Sequence, residues 1–187
     1  MRTKPMSVAV AAALISLAIA PAVSLAQTAE TPKPSTAQGD WPWYFADPSG
    51  SFYSPQAQID ASNFNKLEVA WRFKTDAFGA RPEYKLEGTP LEVRGVIYTT
   101  AGSRRDVVAL DAKTGELKWI YSLNEGARAA NAPRQLSGHG VSYWTDGKGD
   151  ERILYVTTGY RLVELNAKDG HPVETFGDHG IIDMKIG

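Results

Sequence analysis

Apolar and polar residues alternate in short runs along the chain, and turn residues separate these runs. Residues 67–75 (LEVAWRFKT) set Leu, Val, Trp and Phe against Glu, Ala, Arg and Lys, which is the period-two pattern of a half-buried strand. No run after the N-terminal segment keeps a helical apolar period, so the pattern predicts an all-β chain. The other predicted strands are residues 91–93, 96–100, 106–110, 117–122, 153–158 and 161–165.

Two of these strand-and-turn units match each other in sequence. Residues 108–115 (VALDAKTG) align with residues 163–170 (VELNAKDG) at a constant offset, and Trp71 lies in a strand-like run similar to that of Trp119. A repeat of about 40–50 residues that contains four short strands is typical of β-propeller blades. The greater length of the second unit fits a surface hairpin tip at residues 146–150.

The repeat also contains residues suited to joining one blade to the next. Gly115 permits a tight turn, Asp111 and Thr114 can close it with side-chain hydrogen bonds, and Trp119 offers a large face to a neighbour. A single four-stranded blade cannot bury both of its faces, so each blade needs a neighbour on each side. In the alternative interpretation Trp119 is an ordinary core residue of a β-sandwich, against which the repeat spacing argues.

The N-terminus has the features of a secretion signal. Arg2 and Lys4 precede an uncharged apolar run at residues 8–20, and a small-x-small pattern ends at Ala26. This order is typical of a signal peptide, which we assign to residues 1–26. The run is shorter than the roughly 20 residues that span a bilayer, although an uncleaved anchor is the alternative. The sequence therefore predicts a periplasmic or secreted protein with no transmembrane segment in the mature chain.

Composition limits what the rest of the chain can be. Residues 27–39 contain no large apolar residue, which predicts a flexible linker ahead of a folded domain at residues 40–187. The formal net charge is −1, and the basic residues form no stripe along the sequence. Both observations argue against a nucleic-acid partner. The chain contains no cysteine, so disulfides contribute nothing to its stability. Its hydrophobic content of 43% is enough for a packed core.

The repeat and its flanks resemble a known family. Residues 109–119 (ALDAKTGELKW) resemble the tryptophan-docking motif of pyrroloquinoline quinone (PQQ) repeat propellers, a motif that non-catalytic propellers share. The flanks narrow the resemblance to the N-terminal portion of PQQ-dependent (quinoprotein) alcohol and glucose dehydrogenases. These flanking matches are GDWPWY at 39–44, YSP at 53–55, NKLEVAW at 65–71, GTPLEVRGVIY at 88–98, GVSYW at 140–144 and FGDHGIID at 176–183.

The resemblance implies the N-terminal blades of an eight-bladed β-propeller, incomplete in this chain at about two to three blades. It implies PQQ bound with a calcium ion, an alcohol or sugar as substrate, and an electron acceptor such as a cytochrome or ubiquinone. The catalytic base and the calcium ligands would lie after Gly187, so we assign neither here and expect the isolated chain to be inactive. The alternative is a non-catalytic PQQ-repeat propeller that acts as a periplasmic binding or scaffold module.

Two residues match cofactor-contacting positions of that family. Glu87 matches a glutamate that contacts PQQ, and its alternative reading is a solvated acid at the start of a strand. His139 stands where the family usually has an arginine near the cofactor. An arginine fork suits a carboxylate better than an imidazole does, so this departure weakens the prediction of cofactor binding. His139 is alternatively a loop histidine without a ligand.

Several other polar residues receive no cofactor or metal role. Arg104 and Arg105 lie between two strands and are interpreted as a solvated pair, with contact to an anionic cofactor as the alternative. His171 and His179 have no second ligand nearby and are interpreted as surface residues. Asp183 lacks metal-ligand spacing.

Overall fold

A computed structural model describes residues 32–79, 85–135, 137–138 and 140–186 of the chain. Its helices in these ranges are the single α-helical turn α1 (Ala127–Ala130) and the 3-10 helices Thr36–Gln38 and Phe64–Lys66. None of them has the length or apolarity that crossing a bilayer requires. The strands are β1 (Lys85–Leu86), β2 (Leu91–Val93), β3 (Val96–Ala101), β4 (Asp106–Asp111), β5 (Leu117–Tyr121), β6 (Ser137–Gly138), β7 (Ser142–Thr145), β8 (Glu151–Val156), β9 (Arg161–Asn166) and β10 (Ile181–Asp183).

Two four-stranded antiparallel sheets contain most of the strands. Strands β2 to β5 form the first sheet and β7 to β10 form the second, each in sequence order from one edge to the other. A turn at Arg94 and Gly95 joins β2 to β3, and the predicted hairpin tip at residues 146–150 joins β7 to β8. The predicted all-β architecture, with four short strands in each unit, is confirmed.

The two sheets pack face to face, and the first sheet is covered on both sides. Val107 and Ala109 of β4 belong to the core shared with the second sheet. Val108 and Leu110 of the same strand point the other way, toward Trp71 and other partly buried aromatic side chains. Because successive side chains of a strand face opposite sides, burial of all four means that β4 has a neighbour on each face. This arrangement is the one that the repeat predicted.

The predicted strand at residues 67–75 is wrong. In the part of the chain that the structure describes, these residues belong to no strand. A strand requires a ladder partner for its N–H and C=O groups, and no described strand pairs with this segment. Side-chain burial alternates only in the second half of this segment, where Trp71 and Phe73 are partly buried while Arg72 and Lys74 are exposed.

Tryptophan docking is repeated in the structure as it is in the sequence. The Trp119 indole N–H donates to the carbonyl oxygen of Ala167 at 3.0 Å. The Trp71 indole N–H donates to the carbonyl oxygen of Ala112 at 3.1 Å, at the equivalent turn of the first sheet. Each ring lies directly over the glycine of its turn, Gly170 or Gly115. Trp119 therefore docks onto the following sheet rather than filling the core of its own sheet.

The structure describes only part of the N-terminal segment for which the sequence made predictions. The signal peptide predicted at residues 1–26 lies outside the described residues, as do residues 27–31 of the predicted linker. Within residues 32–39, the N–H of Ser35 donates to the Asp40 carboxylate at 3.1 Å, just before the first 3-10 helix. The linker and domain boundaries stay predictions.

Candidate functional site

Three connecting segments meet at one end of the two sheets, which we call the loop edge. They are the β3–β4 turn at residues 102–105, the β5–β6 connection at 122–135 and the β8–β9 turn at 157–160. The strand pairing places the first two segments at the same end of the first sheet, because Ala101 pairs with Asp106 and the next residue of β4 pairs with the end of β5. The third segment contacts both of the others, as described below. The loop edge therefore brings connections from both sheets together.

A cavity of about 260 Å³ opens between these three segments. Its polar lining comes from the first turn, from the long connection and from the β8–β9 turn, so residues far apart in sequence share it. A cleft between structural units with a few convergent polar groups is the usual form of a small-molecule site. The polar side chains of the lining belong to Ser103, Arg104, Asn124, Glu125, Gln135 and Thr158.

Thr158 is a buried residue of the lining. It is 4% exposed, and its hydroxyl oxygen, which is closed off from solvent, has no hydrogen-bond partner among the described residues. Leaving a buried polar group unpaired costs about 1–3 kcal/mol. The sequence interpretation missed Thr158. A signal was available, because the repeat alignment pairs it with Ser103, the hydroxyl residue in the same turn of the first sheet.

The β8–β9 turn is held by charged side chains of the long connection. The buried carboxylate of Glu125 accepts from the Gly159 N–H at 2.6 Å and from the Arg161 guanidinium at 2.6 Å. Arg128 donates to the Gly159 carbonyl oxygen at 2.7 Å and forms a two-pronged ion pair with Asp183 of β10. Charge-assisted bonds with paired geometry are the stronger class of hydrogen bond. The turn that carries Thr158 is therefore fixed to its surroundings.

The interpretation of Arg104 and Arg105 as a solvated pair is wrong for one member. Arg105 is 4% exposed and donates to the carbonyl oxygens of Thr157 at 3.2 Å and Arg134 at 2.7 Å. A guanidinium group has five donors in a fixed plane, so it can join carbonyl groups from two segments. Arg104 is exposed and contributes to the cavity lining.

Glu87 directly follows β1, which pairs in parallel with β6. Leu86 pairs with Gly138, and a methyl group placed on Gly140 would lie 3.4 Å from Cα of Gly88. Glu87 is exposed, pairs with Lys85 at 3.2 Å and is not part of the cavity lining. His139 lies outside the described residues, although both of its sequence neighbours contact the segment around Glu87. The cofactor roles of Glu87 and His139 stay predictions.

The remaining titratable residues are structural or exposed. Within the described ranges, no three His, Asp or Glu side chains gather as ligands for a metal ion. His171 and His179 are exposed, as predicted. Asp183 serves as the ion-pair partner of Arg128.

Asp183 is expected to stay ionised to unusually low pH. The hydrogen bonds from the Arg128 guanidinium, supported by its positive charge, lower the Asp183 pKa from 3.8 to about 2. Because the folded-state pKa is lowered, the pair contributes stability above pH 3.8 and loses it as the pH falls through about 2. A carboxyl-carbon NMR titration should give this midpoint, and Arg128→Gln should return it toward 3.8. Arg104→Gln, the control, should leave it unchanged, and a low pKa that persists in Arg128→Gln would contradict the assignment.

Comparison with known proteins identifies the family. A family model described as the PQQ glucose/ethanol/alcohol dehydrogenase β-propeller domain matches residues 41–187. The chain is 31% identical to the glycerol dehydrogenase large subunit of Gluconobacter oxydans, over 86% of this chain and 22% of that protein. It is 37% identical to the dehydrogenase subunit of the quinone-dependent alcohol dehydrogenase of the same organism, over 71% of this chain and 16% of that protein.

A solved structure gives the same result for the fold. The quinohemoprotein alcohol dehydrogenase ADHIIG of Pseudomonas putida superposes with a TM-score of 0.62 at 30% identity, covering 81% of this chain and 20% of that one. The chain thus spans about a fifth of the length of the relatives that it matches. The chain belongs to the PQQ glucose/ethanol/alcohol dehydrogenase β-propeller family, and its two four-stranded sheets are blades of such a propeller.

Proposed function

We propose that this chain is the N-terminal part of a periplasmic PQQ-dependent dehydrogenase that oxidises an alcohol or a sugar. The observation that carries the proposal is the cavity at the loop edge, which connections from both sheets line and to which Arg104 contributes an exposed guanidinium. In the proposed enzyme the blades of this chain form part of an eight-bladed ring. Its calcium ligands and catalytic base come from outside the described residues, and a cytochrome or ubiquinone accepts the electrons.

The chemistry of the lining fits the proposed cofactor. PQQ presents carboxylate and quinone oxygens, all of which accept hydrogen bonds. The lining includes donors to such groups in the hydroxyl of Ser103 and the guanidinium of Arg104. A guanidinium group matches a carboxylate in shape and charge. Arg104 would thus supply the cation that the family places at the position of His139, and Glu87 would contact the cofactor from the β1–β6 strand pair.

PQQ would supply the redox chemistry by accepting a hydride equivalent from the substrate, with calcium polarising its quinone carbonyl. The residues of this chain would bind and orient that group. Arg104 would donate to a carboxylate of that group, and the β8–β9 turn, which Glu125 and Arg128 hold, would form one wall of the cavity. The substrate class follows from the relatives, whose names include glycerol and alcohol dehydrogenases.

The test compares two exposed arginines in the full-length protein. Arg104→Gln removes the guanidinium that lines the cavity, whereas Arg72→Gln removes one that is outside the lining. We expect Arg104→Gln to raise the Kd for PQQ about tenfold, as loss of one hydrogen bond to a charged group should. Arg72→Gln should leave that Kd unchanged. Calorimetric titration with PQQ in the presence of calcium measures both.

Two results would count against the proposal. If the wild-type full-length protein does not bind PQQ, the non-catalytic scaffold becomes the better explanation of the fold. If the Arg104→Gln and Arg72→Gln variants bind PQQ with equal affinity, the cofactor lies elsewhere and the cavity has another role. Reduction of an artificial electron-accepting dye by the reconstituted protein, assayed with a panel of alcohols and aldose sugars, then identifies the substrate class.

A further inference from the structure

We propose that the second sheet carries, on the side away from the first sheet, a joint for a third four-stranded sheet of the same protein. In this joint charged side chains take the place of a docked tryptophan. The inference rests on the propeller ring of the proposed function and not on its cofactor. We call the surface the far face, and it is defined by Arg152, Leu154, Val156, Leu162, Glu164 and Ile182.

Side-chain alternation separates the far face from the buried face of the second sheet. On β8, Ile153 and Tyr155 are buried in the core shared with the first sheet. Arg152, Leu154 and Val156 of the same strand point the other way and are partly exposed. The apolar residues of the far face belong neither to that core nor to the other apolar cluster of the first sheet. The far face is therefore a partly exposed sheet surface that contains both apolar and charged side chains.

The sequence repeat indicates what covers the far face. Glu164 aligns with Ala109 in the repeat, and Ala109 is completely buried in the core that the first sheet shares with the second. The far face thus corresponds to the face of the first sheet that the second sheet covers. A blade needs a neighbour on each side, and the chain spans about a fifth of the length of its relatives. A further four-stranded sheet of the same repeat is the occupant that fits both observations.

The far face differs in chemistry from its counterpart on the first sheet. Asp111 and Asn166 are equivalent in the repeat, and they pair across the strands with Val96 and Arg152 respectively. Val96 packs against the core that the two sheets share. Two apolar residues of the first joint thus correspond to two charged residues of the far face, Arg152 and Glu164.

Arg152 joins two carboxylates at the far face. Its Nη1 donates to Oε2 of Glu164 at 2.9 Å, and its Nη2 donates to Oδ2 of Asp150 at 2.6 Å. The three ionised side chains carry one net negative charge. A neighbour that covers them removes water from the carboxylates, which is costly unless new hydrogen-bond donors replace that water. The covering sheet should therefore bring an arginine or a lysine to Asp150, whose side chain is still 40% exposed.

The second unit has no tryptophan at the position from which Trp119 docks. Counted from its turn glycine, Gly170, the residue equivalent to Trp119 is Glu174. Strand β5 begins at Leu117, directly after its turn, whereas β10 begins only at Ile181. The joint with a third sheet therefore depends on the far face itself.

Photo-crosslinking in the full-length protein tests which segment covers the far face. Ile182, which is 40% exposed, is replaced by the photoreactive residue p-benzoylphenylalanine, and Leu154 serves as a second position. Lys148 at the exposed hairpin tip, replaced in the same way, is the control. We expect the far-face positions to crosslink, within one molecule, to a segment that follows residue 187, and the control to give no such product. Mass spectrometry of the crosslinked peptides identifies the segment.

A double-mutant cycle then tests the chemistry of the joint. The arginine or lysine of the crosslinked segment is changed to glutamine alone and together with Asp150→Asn. We expect the first change to raise the rate of unfolding in urea about tenfold, because it leaves the negative charge of the joint uncompensated. In the Asp150→Asn background it should raise that rate less than about twofold. Glu174→Gln, which removes an exposed ion pair with His179, is the control and should not alter the effect of the cation.

A crosslink to a second copy of the chain, to another protein or to an earlier part of the same chain would overturn the joint. The absence of a crosslink from both far-face positions would do the same. A crosslinked segment without arginine or lysine, or an equal effect of the cation in both backgrounds, would overturn the ionic character that we assign to it. All of these measurements are made without PQQ, whereas the cofactor site is tested by the Kd for PQQ, so failure of one proposal is distinguishable from failure of the other.

Discussion

Replacing Gly170 with alanine is expected to destabilise the folded chain by about 2–5 kcal/mol. Gly170 has a φ of +74°, and an added Cβ would lie 2.5 Å from the Trp119 ring. Left-handed backbone at a residue with a side chain costs about 1–2 kcal/mol, and overpacking of a fitted contact adds about 1–3 kcal/mol. Urea denaturation followed by circular dichroism measures the change in the free energy of unfolding.

Gly95→Ala provides the matched control for this substitution. Gly95 has a similar φ of +80°, but nothing lies within 4 Å of an added Cβ. Only the backbone cost of about 1–2 kcal/mol should appear. Equal destabilisation of the two variants would show that Trp119 does not rest on the Gly170 turn.

Replacing Trp119 with alanine is expected to cost about 3 kcal/mol, toward the lower end of the range for such truncations because the ring is only partly buried. The substitution removes the indole that covers Gly170, its hydrogen bond to Ala167 and its contact with Tyr98, whose ring centroid is 5.9 Å away. These contacts join the first sheet to the second. Thermal and urea unfolding should both report the loss.

Trp144→Ala is the control, because none of the contacts described for Trp144 joins the two sheets. It is 46% exposed, and its main described contact is with the Arg152 guanidinium, 5.1 Å from the ring centroid. An exposed contact of this kind contributes about 0.5–1 kcal/mol. If Trp144→Ala proved as costly as Trp119→Ala, burial alone, rather than docking between blades, would account for the effect.

The docking of Trp119 and Trp71 on the two turns could be predicted from the sequence because it depends on local pattern. The turn from Asp111 to Gly115 and its counterpart from Asn166 to Gly170 have matching residues at matching positions. In the first turn, the Asp111 carboxylate accepts from the Thr114 N–H at 3.0 Å, as the residue types predicted. Turn geometry is decided within a few residues, so the sequence interpretation of these turns agrees with the structure.

The strand predicted at residues 67–75 shows a limit of prediction from local sequence pattern. Its apolar and polar residues alternate clearly in the sequence, yet it forms no strand in the described part of the chain. A strand is completed by a partner, and alternation describes only the faces of the segment, not the presence of that partner. The same reason explains why Trp71 was correctly grouped with Trp119, since docking requires only the next turn.

The functional site was harder to predict from the sequence than the fold. The resemblance drew attention to Glu87 and His139, and neither prediction has been tested by the structure. Thr158 and the two residues that hold its turn were missed, because nothing in the local sequence shows that Glu125 reaches Gly159, which lies more than thirty residues later in the chain. Arg105 was misread for the same reason, since its burial depends on carbonyl groups of Thr157 and Arg134.

The sequence by itself determined the all-β class, the positions of most strands, the repeated turn and the tryptophan that docks on it. These properties depend on residue type and spacing over a few residues, where side-chain alternation and turn chemistry act directly. Only the tertiary structure decided which polar side chains meet at the loop edge, which of them are buried and which hydroxyl is left unpaired. Those facts depend on how two blades face one another, and pairwise approach between distant segments leaves no periodic trace in the sequence.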